Sequence, residues 1–320
     1  MTNKSYIVGT KVIDTIDTTR EEKLGPKTGK RVVMARLYYP AVQKNGKKVE
    51  IPKKTVGEMY ADAEMIQEKF PLIVYNHGYG SGVESNNNLC CQLAAQGFFV
   101  AAVGHAYEAE KLTLSDGTVI LTDKSIQKKM MQPRLKALLD SRKLQRKKGS
   151  PEELYEAFDA FQQKYCGFMK ERLSEWAEDV QAVVGVLKQN FAENIDFAPG
   201  IGLTGHSFGG NLAYYMCMNY EEYVCGVNID GGIFGDYKGM RMKRPFLQIY
   251  NPRNESVVSK ALLDTDAPVE YEVFEEVTHI GFTDLAYHIR LKLAMGRMPY
   301  EKMSSRLTEL HLKFFEKYLK

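Results

Sequence analysis

The chain has 320 residues, 43 Lys and Arg against 40 Asp and Glu, a formal net charge of +3, and is 44% hydrophobic and 26% charged. That length and balance suit a globular chain with a sizeable core and argue against a nucleic-acid binder, which shows a marked positive excess. No apolar run approaches the ~20 residues that a bilayer span needs, and the opening MTNKSYIVGTKVIDT has no apolar signal core, so a cytoplasmic chain without a transmembrane segment is expected.

Arg31 to Tyr39 (RVVMARLYY) is rich in branched and aromatic residues and reads as a strand ending at Pro40. A Lys-rich, turn-prone stretch follows. Phe70 to Asn76 (FPLIVYN) reads as a buried parallel strand that stops at the glycine-bearing loop HGYGSG. Asn86 to Gln96 then reads as a helix closed by Gly97, and Phe98 to Val103 as the next buried strand. Strand, helix and strand with short connectors make a βαβ unit, hence a mostly parallel α/β sheet.

After His105 the rhythm breaks. Leu112 to Leu121 alternates around Asp116-Gly117 and suggests a hairpin. Lys124 to Asn190 is helical in pattern, divided at Pro133 and at Gly149-Ser150-Pro151, and Ser150 with Glu153 forms a plausible capping box. An excursion of this length reads as a helical lid or cap followed by a core helix. Strands then end at Thr204 and span Val224 to Ile229, Phe246 to Tyr250 and Glu270 to Phe274, with a helix from Phe208 to Met218 and amphipathic helices from Thr283 and from about Tyr300.

Five cysteines, Cys90, Cys91, Cys166, Cys217 and Cys225, are odd in number and lack zinc-ligand or C-x-x-C spacing. They are expected to be buried thiols in a reducing compartment.

The stretch TGHSFGG carries the chemistry. Ser207 lies in Gly205-His206-Ser207-Phe208-Gly209, between a strand and a helix. A strand that becomes a helix within so few residues strains the serine backbone. It also brings the positions two before and two after against neighbouring main chain, where glycine fits. An exposed nucleophilic Oγ at the sheet edge is the result. An oxyanion hole needs two backbone N–H groups. Phe208 is expected to donate one, and Tyr79 of the HGYGSG loop the other, with Gly78 next. Of six histidines, His279 lies in EEVTHIGFTD just past the last strand, on the same sheet edge as Ser207, and is the expected base. His77 reads as a structural histidine, His105 as able to line the pocket, and His206 as pointing elsewhere. His288 and His311 read as surface or packing residues. The acid is Asp230, in NIDGG one helix and one strand after Ser207, or Glu255 in the loop after the next strand; the later loop is the more usual place but offers Glu255 and no Asp, and Asp230 is favoured.

LYYPA at 38 to 42, VYNHGYGSG at 74 to 82, GHSFGG at 205 to 210, NIDGG at 228 to 232 and THIGFTDL at 278 to 285 together resemble the platelet-activating factor acetylhydrolase-like branch of the α/β-hydrolases. The resemblance implies a single α/β-hydrolase domain over residues 1 to 320, with helices on both faces of the sheet and the lid insertion at about 106 to 170. It implies Ser207 as nucleophile, Asp230 as acid, His279 as base, and Phe208 and Tyr79 as backbone donors. No metal or cofactor is implied. The expected activity is hydrolysis of short-chain carboxyl esters, including phospholipid-like ones at a lipid surface. A general carboxylesterase, a dienelactone-hydrolase relative, a peptidase and a non-catalytic binding protein are the alternatives. Ten Lys and Arg between Lys124 and Lys148 face Asp140 alone, which fits an anionic surface or a solvated helical face; Met130, Met131, Leu135, Leu138 and Leu139 could form an apolar wall.

Overall fold

Two long antiparallel strands open the chain: β1 (Ile7–Glu21) pairs with β2 (Lys30–Ala41) from Ile7 opposite Ala41 onward. The computed structural model describes residues 5–25, 29–43, 47–49, 58–126, 135–237, 239–252, 265–289 and 291–320. Further on come β3 (Lys47–Val49), β4 (Met59–Ala61), β5 (Phe70–Asn76), α1 (Asn87–Ala95) and β6 (Phe99–His105). The hairpin β7 (Lys111–Thr113) and β8 (Val119–Leu121) precedes three helices, α2 (Leu135–Gln145), α3 (Pro151–Tyr165) and α4 (Gly167–Asn190). The last part holds β9 (Ile195–Asp196), β10 (Ile201–His206), α5 (Phe208–Asn219), β11 (Tyr223–Ile229), β12 (Phe246–Tyr250), β13 (Val269–Val273), α6 (Leu285–His288), α7 (Lys292–Met295) and α8 (Tyr300–Leu319).

The main sheet runs β13-β12-β11-β10-β5-β6-β2-β1-β4-β3. From β13 to β6 every pairing is parallel, and β2 joins β6 antiparallel. The central strands β5 and β6 read as nearly unbroken apolar runs because both faces are covered, whereas β13 at the sheet's end carries two glutamates. Alternation shows which side each residue serves. Leu72 and Val74 of β5 pack with Trp176 of α4 and Leu212 of α5, whereas Ile73 and Tyr75 pack with Leu89 of α1 and Leu307 of α8. The sheet is thus sandwiched between helices, and every parallel strand delivers its carboxyl end to one edge, where α/β folds build their sites.

β1 stands before the first strand expected at Arg31. It alternates with many polar residues, and β2 supplies the pairing that makes it a strand. Ser150 does cap α3, its side chain accepting from the Glu153 N–H while Glu153 answers at the Ser150 N–H. The helix expected from Thr283 shrinks to the single turn of α6. Between β6 and α4 the chain inserts the hairpin, α2 and α3. Met130, Met131 and the side chains of Leu135 and Leu138 lie outside the described residues, while Leu139 is exposed. Asp140 of α2 is held by Lys164 of α3 at 3.0 Å and by the Tyr165 hydroxyl at 2.6 Å, so the acid of α2 is taken up by the neighbouring helix. All five cysteines are free and buried, and no described helix is long and apolar enough to cross a membrane.

Candidate active site

β10 ends at His206 and α5 begins at Phe208, so the whole reversal falls on Ser207. Its backbone takes φ 57° and ψ −118°, a region that costs a non-glycine residue roughly 1–3 kcal/mol. Neighbouring main chain fixes the turn. A Cβ at Gly205 would stand 2.4 Å from the Gly209 carbonyl carbon, and one at Gly209 would stand 2.1 Å from the Asn76 carbonyl oxygen. The end of β5 therefore presses against the turn, and larger residues at these two positions cannot fit.

Asp230 follows β11, the neighbour of β10, and is fully buried with φ 56°. Its Oδ1 accepts from the Asn251 N–H at 2.8 Å, and its Oδ2 accepts from the Asn251 amide at 2.6 Å and from His279 Nδ1 at 2.7 Å. A carboxylate can only accept, so His279 carries its proton on Nδ1. The other ring nitrogen, Nε2, lies 2.8 Å from Ser207 Oγ and is left as an acceptor. Carboxylate, imidazole and hydroxyl thus form one continuous hydrogen-bonded line. His279 sits on the segment beyond β13, at the head of a 3-10 turn over Ile280–Phe282. Asn86 and Asp284 tie that segment to the start of α1: the Asn86 amide donates to the Phe282 carbonyl at 2.8 Å, and Asp284 accepts from the Asn88 N–H at 2.9 Å and from the Tyr300 hydroxyl at 2.7 Å. Burial lifts the Asp284 carboxyl to about 6. Glu255, the alternative acid, lies outside the described residues.

The loop after β5 lies against the same turn, since a Cβ at Gly78 would be 3.2 Å from Ser207 Cβ. The N–H groups of Tyr79 and Phe208 have no backbone acceptor among the described residues, and Phe208 opens α5, where the helix dipole favours negative charge. The Tyr79 ring stacks on Trp176 with centroids 5.7 Å apart, and Phe208 meets the indole edge-on at 4.7 Å. The His105 ring also stacks on Trp176, with centroids 3.6 Å apart. Beneath it a buried charge cluster holds the pieces. His105 donates to Asp179 at 2.9 Å, Arg31 reaches Asp179 through Nε at 3.0 Å and Nη2 at 2.6 Å, and Arg172 grips Glu108 at 2.8 and 2.6 Å. Burial would raise the Asp179 carboxyl, but Arg31 and His105 outweigh it and hold the group well below the usual carboxylate range.

His105, expected as able to line the pocket, is fully buried instead, its ring stacked on Trp176 and its Nδ1 donating to the Asp179 carboxylate. His206, read as pointing elsewhere, is also corrected. Its ring lies 4.7 Å from that of His279, and its Nε2 bonds the His279 carbonyl at 2.8 Å. Buried His77 donates to the Gly78 carbonyl, and His311 bonds Thr204 and Leu307 inside the core. His288 is exposed at the cleft. Asn251 and Trp176 were not singled out as site residues. An asparagine directly after β12, next to Asp230 across the sheet, was the available clue for the first; the second depends wholly on helix packing.

Ser207 and His279 open into a cleft of about 1190 Å³. Loop residues Gly78 to Ser85, Met34 and Arg36 of β2, Lys111 and Thr113 of β7, and Ile280 to His288 surround it. Of the described insertion, the hairpin side forms a wall; α2 and α3 do not reach the cleft. No group of three or more His, Cys, Asp or Glu is placed to hold a metal among the described residues.

A serine on a strained strand-to-helix turn, a carboxylate one strand on and a histidine past the last strand, all at the carboxyl edge of a mostly parallel sheet, define an α/β-hydrolase. A solved ferulic acid esterase from Streptomyces cinnamoneus shares this fold, with TM-score 0.70 and 19% identity over 98% of this chain and 90% of that one. So does a dienelactone hydrolase-like promiscuous phosphotriesterase from metagenomic libraries, with TM-score 0.54 and 13% identity over 96% of this chain and 99% of that one.

Within that class the chain belongs to the family "platelet-activating factor acetylhydrolase, isoform II", whose model matches residues 56–287. The platelet-activating factor acetylhydrolase of Gallus gallus is 26% identical over 246 residues, 69% of this chain and 54% of the relative. That of Cavia porcellus is 21% identical over 264 residues, 79% of this chain and 58% of the relative. The chain thus spans little more than half the length of these curated relatives.

Proposed function

We propose that this chain is a serine esterase that hydrolyses short-chain carboxyl esters through an acyl-enzyme. The observation that carries the reading is the Asp230–His279–Ser207 line, with contacts of 2.7 and 2.8 Å, on a serine whose backbone is strained to present it. In this reading Ser207 Oγ attacks the ester carbonyl carbon while His279 Nε2 takes its proton. Asp230 keeps the other imidazole proton on Nδ1 and stabilises the imidazolium. The carbonyl oxygen becomes an oxyanion facing the N–H groups of Phe208 and Tyr79; each such donor is worth ~3 kcal/mol. His279 then protonates the departing alcohol, and water, activated by the same imidazole, releases the acid.

The family and its relatives' names favour acetyl or short acyl esters of phospholipid-like alcohols as substrates. The cleft is walled on one side by the hairpin of the insertion, so within 106 to 170 that hairpin is the proposed selector of the alcohol portion. Exposed cations of α2 such as Lys136 and Arg142 would favour an anionic lipid surface. The test is a panel of esters of graded acyl length, with and without a phosphocholine head group, on wild type and Ser207→Ala. Turnover that falls with acyl length and vanishes in the folded variant supports the reading; unchanged turnover in Ser207→Ala overturns it. Aryl acetates turned over without preference for the phospholipids would move the substrate class to a general carboxylesterase.

A further inference from the structure

We infer that His206 is a positioning residue that fixes the main chain of His279 and, through it, the line from His279 to Ser207. The inference rests on the esterase reading above. Two consecutive residues of the turn grip the same histidine: Ser207 Oγ meets its ring at 2.8 Å, and His206 Nε2 meets its carbonyl oxygen at 2.8 Å. A carbonyl only accepts, so Nε2 of His206 must carry the hydrogen and Nδ1 must be bare. Nδ1 is buried with no partner among the described residues, and the Gly78 backbone closes on it, where a Cβ would stand 3.2 Å away. A buried acceptor left unmet is a cost. The ring is therefore oriented by its single good bond, the one to His279.

The grip matters because it acts on the main chain of His279 itself, whereas the other bonds that anchor this segment to the rest of the chain act at its neighbours. The Thr278 hydroxyl donates to the Ala294 carbonyl, the Thr278 N–H reaches the Met295 carbonyl at 3.4 Å, and the Asn86 and Asp284 bonds act at Phe282 and beyond. His206 also has to stay uncharged beside a ring that becomes cationic in the reaction. Burial first, and His279 second, push its proton affinity down to about 3, so one tautomer persists across the working range.

The experiment compares wild type, His206→Phe and His206→Gln. Phenylalanine keeps the ring volume and removes the donor; glutamine puts an amide donor near the Nε2 position. Each is assayed for kcat and KM on an aryl acetate, and its competent sites are counted by stoichiometric labelling of Ser207 with a fluorophosphonate. A 1 Å misplacement of a reacting group can cost about 100-fold, so kcat of His206→Phe should fall roughly 10- to 100-fold with KM within about twofold, at an unchanged labelled fraction. His206→Gln should recover most of the loss. If His206→Phe does not fold, His206→Asn, whose amide reaches only the Nδ1 position, takes its place. A donor-less variant with wild-type kcat, or equal losses in both variants explained by fewer labelled sites, would overturn the inference. A wild type that takes no label at Ser207 would instead sink the esterase reading.

Discussion

Asp230→Asn is the sharpest test of the proton line. Among the described residues, the Asn251 N–H at 2.8 Å, the Asn251 amide at 2.6 Å and His279 Nδ1 at 2.7 Å converge on this carboxylate. An asparagine offers one accepting oxygen and one donating nitrogen in the same space. If its nitrogen faces the Asn251 N–H, two donors collide in a fully buried place, at roughly 1–3 kcal/mol. The main-chain N–H cannot turn away. If the nitrogen takes the Oδ2 position, the Asn251 side-chain amide can flip to present its oxygen, and the new donor faces His279. The second arrangement therefore wins. It forces the imidazole proton from Nδ1 to Nε2, leaving no acceptor for the Ser207 proton. In serine triads that tautomer change costs about 10⁴ in kcat, or roughly 5–6 kcal/mol of barrier. Initial rates on an aryl acetate, normalised to folded protein by circular dichroism, measure it. Glu255→Gln should leave the rate within about twofold, since a triad carries one carboxylate. An Asp230→Asn enzyme within tenfold of wild type, or a larger loss in Glu255→Gln, would refute the argument.

Trp176→Leu should lower stability by about 2–4 kcal/mol in urea unfolding and also reduce kcat per labelled site, because Tyr79 and Phe208 both rest on the indole; a stability loss with kcat unchanged would separate the stack from the oxyanion loop. Burial pushes His77 and His206 down to about 3, so the unfolded chain binds more protons below about pH 6.5. Stability should therefore fall as pH drops through that window, by about 1.4 kcal/mol per pH unit for each histidine, and a urea midpoint that does not move between pH 8 and pH 5 would contradict this. Asp284 has the opposite sign. Burial lifts it to about 6, so the native state binds the extra proton and stability is lost as pH rises from about 4 to about 6, roughly 3 kcal/mol in all. Asp284→Asn cannot lose a proton, and its stability relative to wild type should rise by about that amount from pH 4 to pH 7 in the same assay.

Much of the frame was legible because it depends on local pattern. FPLIVYN and the buried strand after it announce a sheet covered on both faces, since only that environment tolerates an unbroken apolar run. Gly205 and Gly209 around Ser207 are readable for a steric reason: each lies where a Cβ would strike main chain, at 2.4 and 2.1 Å. The hairpin around Asp116-Gly117 and the cap at Ser150 are likewise short-range devices. β1 carries a local signal too, in its many Ile, Val and Thr residues, but its length and register come from the ladder with β2.

His105 and His206 mark the limit within the site. Both are single imidazoles at strand ends, and nothing in their immediate neighbours distinguishes a residue sealed between Trp176 and Asp179 from one that holds the backbone of His279. Sequence alone determined the strand-to-helix turn at Ser207, the order of serine, carboxylate and histidine along the chain, and a parallel sheet to carry them. Those follow from periodicity and from steric demands a few residues long. Tertiary structure decided that Asn251 holds Asp230, that Trp176 backs the Tyr79 loop and that His206 faces His279. These contacts join residues from 21 to 97 positions apart, and only the packing of separate elements sets which of many such side chains meet.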